Sequence, residues 1–151
     1  MKDITEKPDT FREAVAEVYV DMPAELVAIL RERRAEKGDA LELARAAAAL
    51  AAKKTWDLIP FCHPIPLTYV GVSYDFGETW VRIETCVRTR ASTGVEMEAL
   101  TAGSLAALTI YDMLKMYTPA MTIRGGRLLR KTGGKSGDYR APNDPPDGER
   151  S

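Results

Sequence analysis

The chain has 151 residues, of which 45% are hydrophobic and 28% charged, and its formal net charge at pH 7 is −1. This composition is that of a single globular domain with a substantial core. The nearly neutral charge excludes a global attraction to nucleic acid or to an anionic membrane, so an anion-binding site must be a local basic cluster.

Cysteine and histidine are scarce in this sequence. Cys62 and Cys86 are the only cysteines and His63 is the only histidine, which argues against a zinc site. Residues 1–10 lack the apolar run of a secretory signal, and no uninterrupted apolar run reaches the ~20 residues of a membrane span. We therefore expect a cytoplasmic protein with reduced thiols, no metal and no membrane partner.

Apolar periodicity and chain-breaking residues predict the elements of the first half of the chain. Residues 11–21 alternate as a strand, Pro23 opens a first helix, and Asp39 caps an alanine-rich second helix that ends near Lys54. Residues 55–66 contain three prolines and are predicted to form an ordered extended loop.

The second half predicts two strands joined by a Gly77-Glu78 turn, then a long helix over 95–117. A last strand carries Gly125-Gly126, where we expect a bulge. The resulting order β-α-α-β-β-α-β fits an α+β fold with a ferredoxin-like antiparallel sheet and helices packed on one face. We predict one domain over 1–140 and a proline- and charge-rich disordered tail over 141–151.

The long helix carries the charges that are hardest to explain structurally. Thr93 as N-cap and Glu96 would form a capping box, which is enough to account for Glu96. Glu98 has no such local partner beyond the helix N-terminus. Asp112 is flanked by apolar residues and is costly to bury unless paired, and an ion pair with Lys115 is the structural alternative. Glu98 and Asp112 lie about 21 Å apart along the axis, so a neighbouring chain must complete the site of each if both are catalytic.

Two loops hold further candidates. His63 lies in a proline-pinned loop, which suits a group whose direction must be fixed, although a lone histidine is as often structural. Residues 131–137, KTGGKSG, place two lysines on a glycine-rich loop that can offer N–H groups and positive charge to an anion. It is not a Walker motif, because Leu129 stands where glycine is required and no helix follows. The alternative is a solvated loop.

Several long motifs in one order resemble a single family, the molybdenum cofactor biosynthesis protein C (MoaC) family, from about residue 3 to residue 139. They are KGDxxxxAR at 37–45, AAKKTWDLIPFCHPIPL at 51–67, TGVEMEALTAGSLAALTIYDMLK at 93–115 and LLRKTGGKSGDY at 128–139. The chain departs from the family at Ala91-Ser92-Thr93-Gly94, where members usually have Gly-Lys-Thr-Gly. This loop therefore brings no lysine.

The resemblance implies a lyase, a cyclic pyranopterin monophosphate synthase of molybdenum cofactor biosynthesis. Such enzymes rearrange 3′,8-cyclo-7,8-dihydro-GTP to the cyclic pyranopterin and release diphosphate, without a metal or an organic cofactor. The resemblance also implies a ferredoxin-like fold and a homo-oligomer, a hexamer of dimers with sites at subunit interfaces. A functional link to the radical-SAM GTP cyclase that makes the substrate follows, and no nucleic acid is involved.

By motif position, the resemblance assigns two sets of site residues. The catalytic set is Asp112, Lys115, Lys131 and Lys37. The substrate-binding set is Phe61, Cys62, His63, Met97, Glu98, Glu96, Lys53 and Arg12.

Roles for these residues follow from the implied substrate. Asp112 with Lys115 or Lys131 would transfer protons, and a pocket lysine would be tuned toward neutral pH by burial and neighbouring cations. Phosphate charge would be stabilised by the remaining basic residues, Lys37, Lys53, Arg12 and His63. Two alternatives compete with this enzyme. One is a nucleotide-binding regulatory module without a buried acid–base pair, and the other is a purely structural Asp112–Lys115 pair beside a solvated loop.

Overall fold

Five strands and three helices make up the structure, a computed structural model that describes residues 1–143. The strands are β1 (Thr10–Asp21), β2 (Tyr69–Phe76), β3 (Trp80–Ala91), β4 (Thr122–Thr132) and β5 (Tyr139–Arg140), and the helices are α1 (Ala24–Arg31), α2 (Ala40–Leu58) and α3 (Glu96–Leu114). All pairings are antiparallel in the order β2-β3-β1-β4-β5. The first four strands have the ferredoxin-like arrangement, which confirms the predicted fold class.

One face of the sheet packs against α2 and α3. Alternate residues of β1 point to this face and are buried, among them Ala16 and Val18, because side chains alternate along a strand. Small residues such as Ala44 and Ala102 let the helices approach each other and the sheet closely. Within residues 1–143, no helix combines the length and the apolarity needed to cross a lipid bilayer.

The opposite face of the sheet carries charges in place of helices. Glu17 on β1 is only 5% exposed, and its carboxylate accepts hydrogen bonds from Arg82 Nε at 2.6 Å and from Arg127 Nε at 2.7 Å. A buried carboxylate needs such partners because an unpaired charge in this position costs several kcal/mol. The two arginines therefore hold β3, β1 and β4 together on the side that no helix covers.

Local signals predicted most element boundaries correctly. Asp39 caps α2, its carboxylate accepting from the N–H groups of Leu41 and Glu42 at 3.1 and 3.0 Å. The predicted bulge is present, since the two residues Gly125 and Gly126 lie opposite the single residue Val18. The β2–β3 hairpin is also confirmed.

Two helix ends and one short strand differ from the prediction. α2 continues to Leu58, so the predicted loop over 55–66 begins four residues too early. The physical reason is that proline constrains the residue before it, and here that residue is Ile59, which is extended at the helix C-cap. α3 ends at Leu114, three residues before the predicted end, and the short β5 was not predicted.

The predicted disordered tail over 141–151 mostly lies outside the described residues, which end at 143. Its first residue, Ala141, is buried, and its N–H donates to the Leu129 carbonyl at 2.6 Å. The ordered chain therefore extends at least one residue past the predicted end of the domain at residue 140.

Candidate active site

Most of the predicted site residues gather at the two ends of α3. At its N-terminal end lies a groove of about 310 Å³, called here the α3 groove. It is lined by the loop after α2 and by the first turn of α3 with the residues before it, namely Phe61, Cys62, His63, Thr93, Gly94, Glu96, Met97 and Glu98. The structure thus brings together six of the eight predicted substrate-binding residues.

His63 is held in place by the N-terminal segment. Its Nε2 lies 2.8 Å from the carbonyl oxygen of Lys2, and a carbonyl can only accept, so Nε2 carries a hydrogen and donates it. The nearby turn is closed by the Cys62 N–H, which donates to the Ile59 carbonyl at 3.0 Å. Phe61 is 75% exposed beside it. The loop therefore offers an oriented imidazole and an uncovered aromatic ring on one side of the α3 groove.

Glu98 is the buried carboxyl of the α3 groove. It is only 5% exposed, and burial, with a smaller contribution from the charge of Glu96, raises its pKa to about 6. Burial, reinforced by Glu98, also raises the pKa of the Cys62 thiol. Glu98 can therefore hold or release a proton close to neutral pH, whereas Cys62 stays a thiol.

Glu96 does not form the predicted capping box. The N-cap of α3 is Val95, no side chain caps the helix, and Glu96 instead pairs with Lys131 Nζ at 2.8 Å. Lys131 reaches the helices because it lies opposite Ala14, a residue on the helix-covered face of β1. Gly94 leaves room for this pair, since a Cβ there would displace the Glu96 carboxylate. Local spacing alone predicted the capping box, because it cannot detect a partner that is 35 residues away in the chain.

The second group lies at the C-terminal end of α3, and it is exposed. Asp112 Oδ1 is 2.7 Å from Lys115 Nζ, and Lys37 Nζ lies 3.1 Å from the Asp112 carbonyl and 3.8 Å from its Oδ2. The Asp112 side chain is 58% exposed. The expectation of a buried acid–base pair is therefore wrong for the single chain, because lysines rather than apolar atoms surround this carboxylate.

In the second group, the carboxylate and the lysines stabilise one another in their charged forms. The hydrogen bond and charge of Lys115, with help from Lys37, lower the pKa of Asp112, and Asp112 in turn raises the pKa of Lys115. The expectation of a lysine tuned toward neutral pH is therefore not met at Lys115, which lacks both burial and a neighbouring cation close enough to outweigh Asp112. This group presents an ionised acceptor and a protonated donor.

The two groups do not meet within one chain. Glu96 and Asp112 are sixteen residues apart, which is about 24 Å along a helix, so Lys131 is separated from the other three predicted catalytic residues. Arg12 lies on β1 beside the α3 groove, and its Nη2 is 3.5 Å from the Ser92 carbonyl. Lys53 is exposed on α2 and lies in neither group.

The structure combines an α+β fold of ferredoxin-like topology with carboxylate–lysine pairs at both ends of one helix. The chain belongs to the MoaC family, whose model matches residues 1–134. It is 52% identical over 140 residues to the cyclic pyranopterin monophosphate synthase of Brevibacillus brevis, covering 92% of this chain and 88% of that protein. It is 53% identical over 143 residues to the protein of the same name from Cereibacter sphaeroides, covering 93% and 90%.

Proposed function

We propose that the protein converts 3′,8-cyclo-7,8-dihydro-GTP to cyclic pyranopterin monophosphate and releases diphosphate, as a lyase of molybdenum cofactor biosynthesis. Two relatives that share about half of its residues over nearly the whole chain bear the name of that product's synthase. The observation that carries the proposal is the α3 groove, where an oriented His63 faces the buried Glu98 and the Glu96–Lys131 pair.

The chemistry requires proton transfers as rings open and close, and the site supplies groups for both directions. Glu98, with a pKa of about 6, is matched to donate or accept a proton near neutral pH. Asp112 is the ionised base and Lys115 the protonated acid at the second group. Lys131 and Lys37 would offset the negative charge that develops as diphosphate leaves. The proposal invokes no cofactor, since side chains handle every proton.

The proposed assembly is a homo-oligomer, a hexamer of dimers whose active sites lie between chains. Its support is geometric. The two groups lie at opposite ends of α3, too far apart for one small substrate, and Asp112 is open to solvent in the single chain. The outer faces of the helices also expose leucines, with Leu43 49%, Leu50 61% and Leu108 52% exposed. In the proposed assembly, a neighbouring chain would cover these exposed apolar side chains.

The proposed setting is the cytoplasm, beside the radical-SAM GTP cyclase that makes the substrate. Both cysteines are free, which fits a reducing compartment. No nucleic acid or membrane takes part in the proposed reaction.

The test is diphosphate release from the cyclised dihydro-GTP. Wild type should turn over, and Asp112→Asn and Lys131→Ala should each lose about two to four orders of magnitude, the usual contribution of an acid–base group. Asp57→Asn and Lys54→Ala, which change exposed residues of α2, serve as matched controls and should stay active. Undiminished activity of Asp112→Asn would remove Asp112 from the mechanism. Tight substrate binding by wild type without turnover would favour the regulatory module.

A further inference from the structure

The loop between α1 and α2 (residues 32–39) carries Lys37 to the C-terminal end of α3, and we call it the lysine loop. There Lys37 Nζ donates to the Asp112 carbonyl at 3.1 Å and lies 3.8 Å from Asp112 Oδ2. The two residues are 75 positions apart in the chain. The position of this lysine therefore depends on what holds the lysine loop against α3.

Burial anchors the lysine loop before Lys37 but not at it. Ala35 is 8% exposed and belongs to the hydrophobic core, whereas Glu36, Lys37 and Gly38 are exposed. Gly38 has φ +115°, a conformation that favours glycine, and its N–H donates to the Ala35 carbonyl at 2.9 Å. Lys37 therefore lies within an exposed turn, where apolar packing cannot hold it.

Charged side chains of the lysine loop pair within it. Arg33 pairs with Asp39, and Arg34 pairs with Glu32. Both pairs are open to solvent, where an ion pair contributes little to stability. These pairs shape the lysine loop, but they do not connect it to the helix that carries Asp112.

A connection to α3 comes from Tyr117, in the turn that follows this helix. The Glu36 N–H donates to Tyr117 Oη at 2.9 Å, and the two residues are 81 positions apart. The turn itself is closed by the Tyr117 N–H, which donates to the Leu114 carbonyl at 2.9 Å. Because Glu36 directly precedes Lys37, its hydrogen bond to Tyr117 fixes the backbone from which the lysine side chain extends.

This hydrogen bond matters more for position than for stability. Tyr117 is 40% exposed and Glu36 is exposed, so water can replace the hydroxyl as the acceptor. A lysine side chain is long and flexible, and the placement of its amine depends on where the backbone is held. Holding a reacting group at its site in advance lowers the barrier of the reaction that uses it. One end of α3 thus carries both Asp112 and the hydroxyl that keeps a lysine beside it.

We propose that Tyr117 is a positioning residue of the candidate active site, whose hydroxyl holds the lysine loop so that Lys37 stays beside Asp112. Tyr117 acts through Lys37 rather than on the substrate. The role rests on the proposed function, in which Lys37 offsets the charge that develops as diphosphate leaves. A lysine used in the transition state contributes to kcat, so loss of its position should lower kcat and leave the KM for the cyclised dihydro-GTP unchanged.

Steady-state diphosphate release tests this role. Tyr117→Phe removes only the hydroxyl, and we expect kcat to fall about three- to tenfold, the usual contribution of one hydrogen bond. The KM and the urea midpoint should stay at their wild-type values. In a Lys37→Gln background, the same change should leave kcat within about twofold of its value in Lys37→Gln alone, since no lysine remains to be positioned.

Tyr69→Phe is the matched control for these measurements. Tyr69 is a 47% exposed tyrosine on β2, so the loss of its hydroxyl should leave kcat at the wild-type value. A merely structural role of Tyr117 would give the same loss of kcat with and without Lys37, because effects at independent sites add. Such an equal loss, or a Tyr117→Phe kcat within about twofold of wild type, would overturn the inference.

Hydrogen exchange measured by mass spectrometry tests the contact without substrate. Tyr117→Phe should speed exchange of the Glu36 amide about three- to tenfold, because this N–H loses its acceptor, whereas Tyr69→Phe should not. Unchanged exchange in Tyr117→Phe would overturn the inference. A wild type that does not turn over, while exchange of the lysine loop still depends on Tyr117, defeats the proposed function and leaves the hold on the loop standing. Wild-type turnover that is insensitive to Tyr117→Phe defeats only the inference.

Discussion

Each end of α3 carries a carboxylate, and the surroundings shift the pKa values of the two in opposite directions. Glu98 at the N-terminal end is 5% exposed, and burial raises its pKa to about 6. Asp112 at the C-terminal end is 58% exposed, and two lysines lower its pKa. Both groups are carboxyls on the same helix, so the difference comes from what surrounds each of them: apolar packing at one end, cations at the other.

The comparison shows that a single chain completes one end only. At the α3 groove, Glu98 is already buried, His63 is oriented and Glu96 is paired with Lys131. The Asp112 group has its ion pairs but is exposed to solvent, where electrostatic interactions are weak. A neighbouring chain that covers Asp112 would strengthen them, which is the reason that interfacial active sites are proposed.

The largest expected effect is the recovery of diphosphate release when two inactive variants are mixed. If each active site takes Asp112 from one chain and Lys131 from another, unfolding and refolding Asp112→Asn together with Lys131→Ala creates some sites with neither change. Random mixing across a two-fold pair should restore about a quarter of wild-type diphosphate release. Each variant refolded alone is the control. No recovery in refolded mixtures that contain both chains would mean that one chain supplies both residues.

The next largest expected effect is that of Glu98→Gln on the free energy of unfolding. A folded-state pKa above the ordinary value means that the native state binds the proton more tightly, so wild type loses stability as pH rises from about 4.5 to about 6. Removing the charge should stabilise the protein at pH 8 by about 1 to 2 kcal/mol in urea unfolding, and this gain should vanish near pH 4.

Glu78→Gln is the matched control for that experiment, because Glu78 is an exposed glutamate in the β2–β3 turn. It should change stability equally little at both pH values. A Glu98→Gln variant that is less stable than wild type at pH 8 would show that the ionised carboxylate has a partner, and the assignment of a desolvated acid would be wrong.

Asp112→Asn gives the smallest expected effect on folding. An exposed ion pair contributes little to stability, so the urea midpoint of this variant should stay at the wild-type value even though turnover collapses. Unfolding and turnover measured on one preparation check both statements. A midpoint shift larger than that of Glu98→Gln would mean that the Asp112 ion pair is structural.

Much of this architecture was readable from short-range patterns. The alternation in β1, the Asp39 cap and the Gly125-Gly126 bulge depend on neighbouring residues, and all three are present. Long motifs likewise indicated the family that the chain belongs to. Boundaries failed where two local rules competed, as at Leu58, where helix propensity extends as far as the next proline allows.

The sequence by itself determined the elements other than β5, their order and the family, because propensity, caps and motifs are properties of adjacent residues. Only the tertiary structure decided how each charge behaves. Glu96 left its predicted capping box for Lys131 on a strand 35 residues away, and Glu98 became buried while Asp112 did not. Burial and ion pairing depend on which surfaces the fold brings together, and no local spacing encodes that.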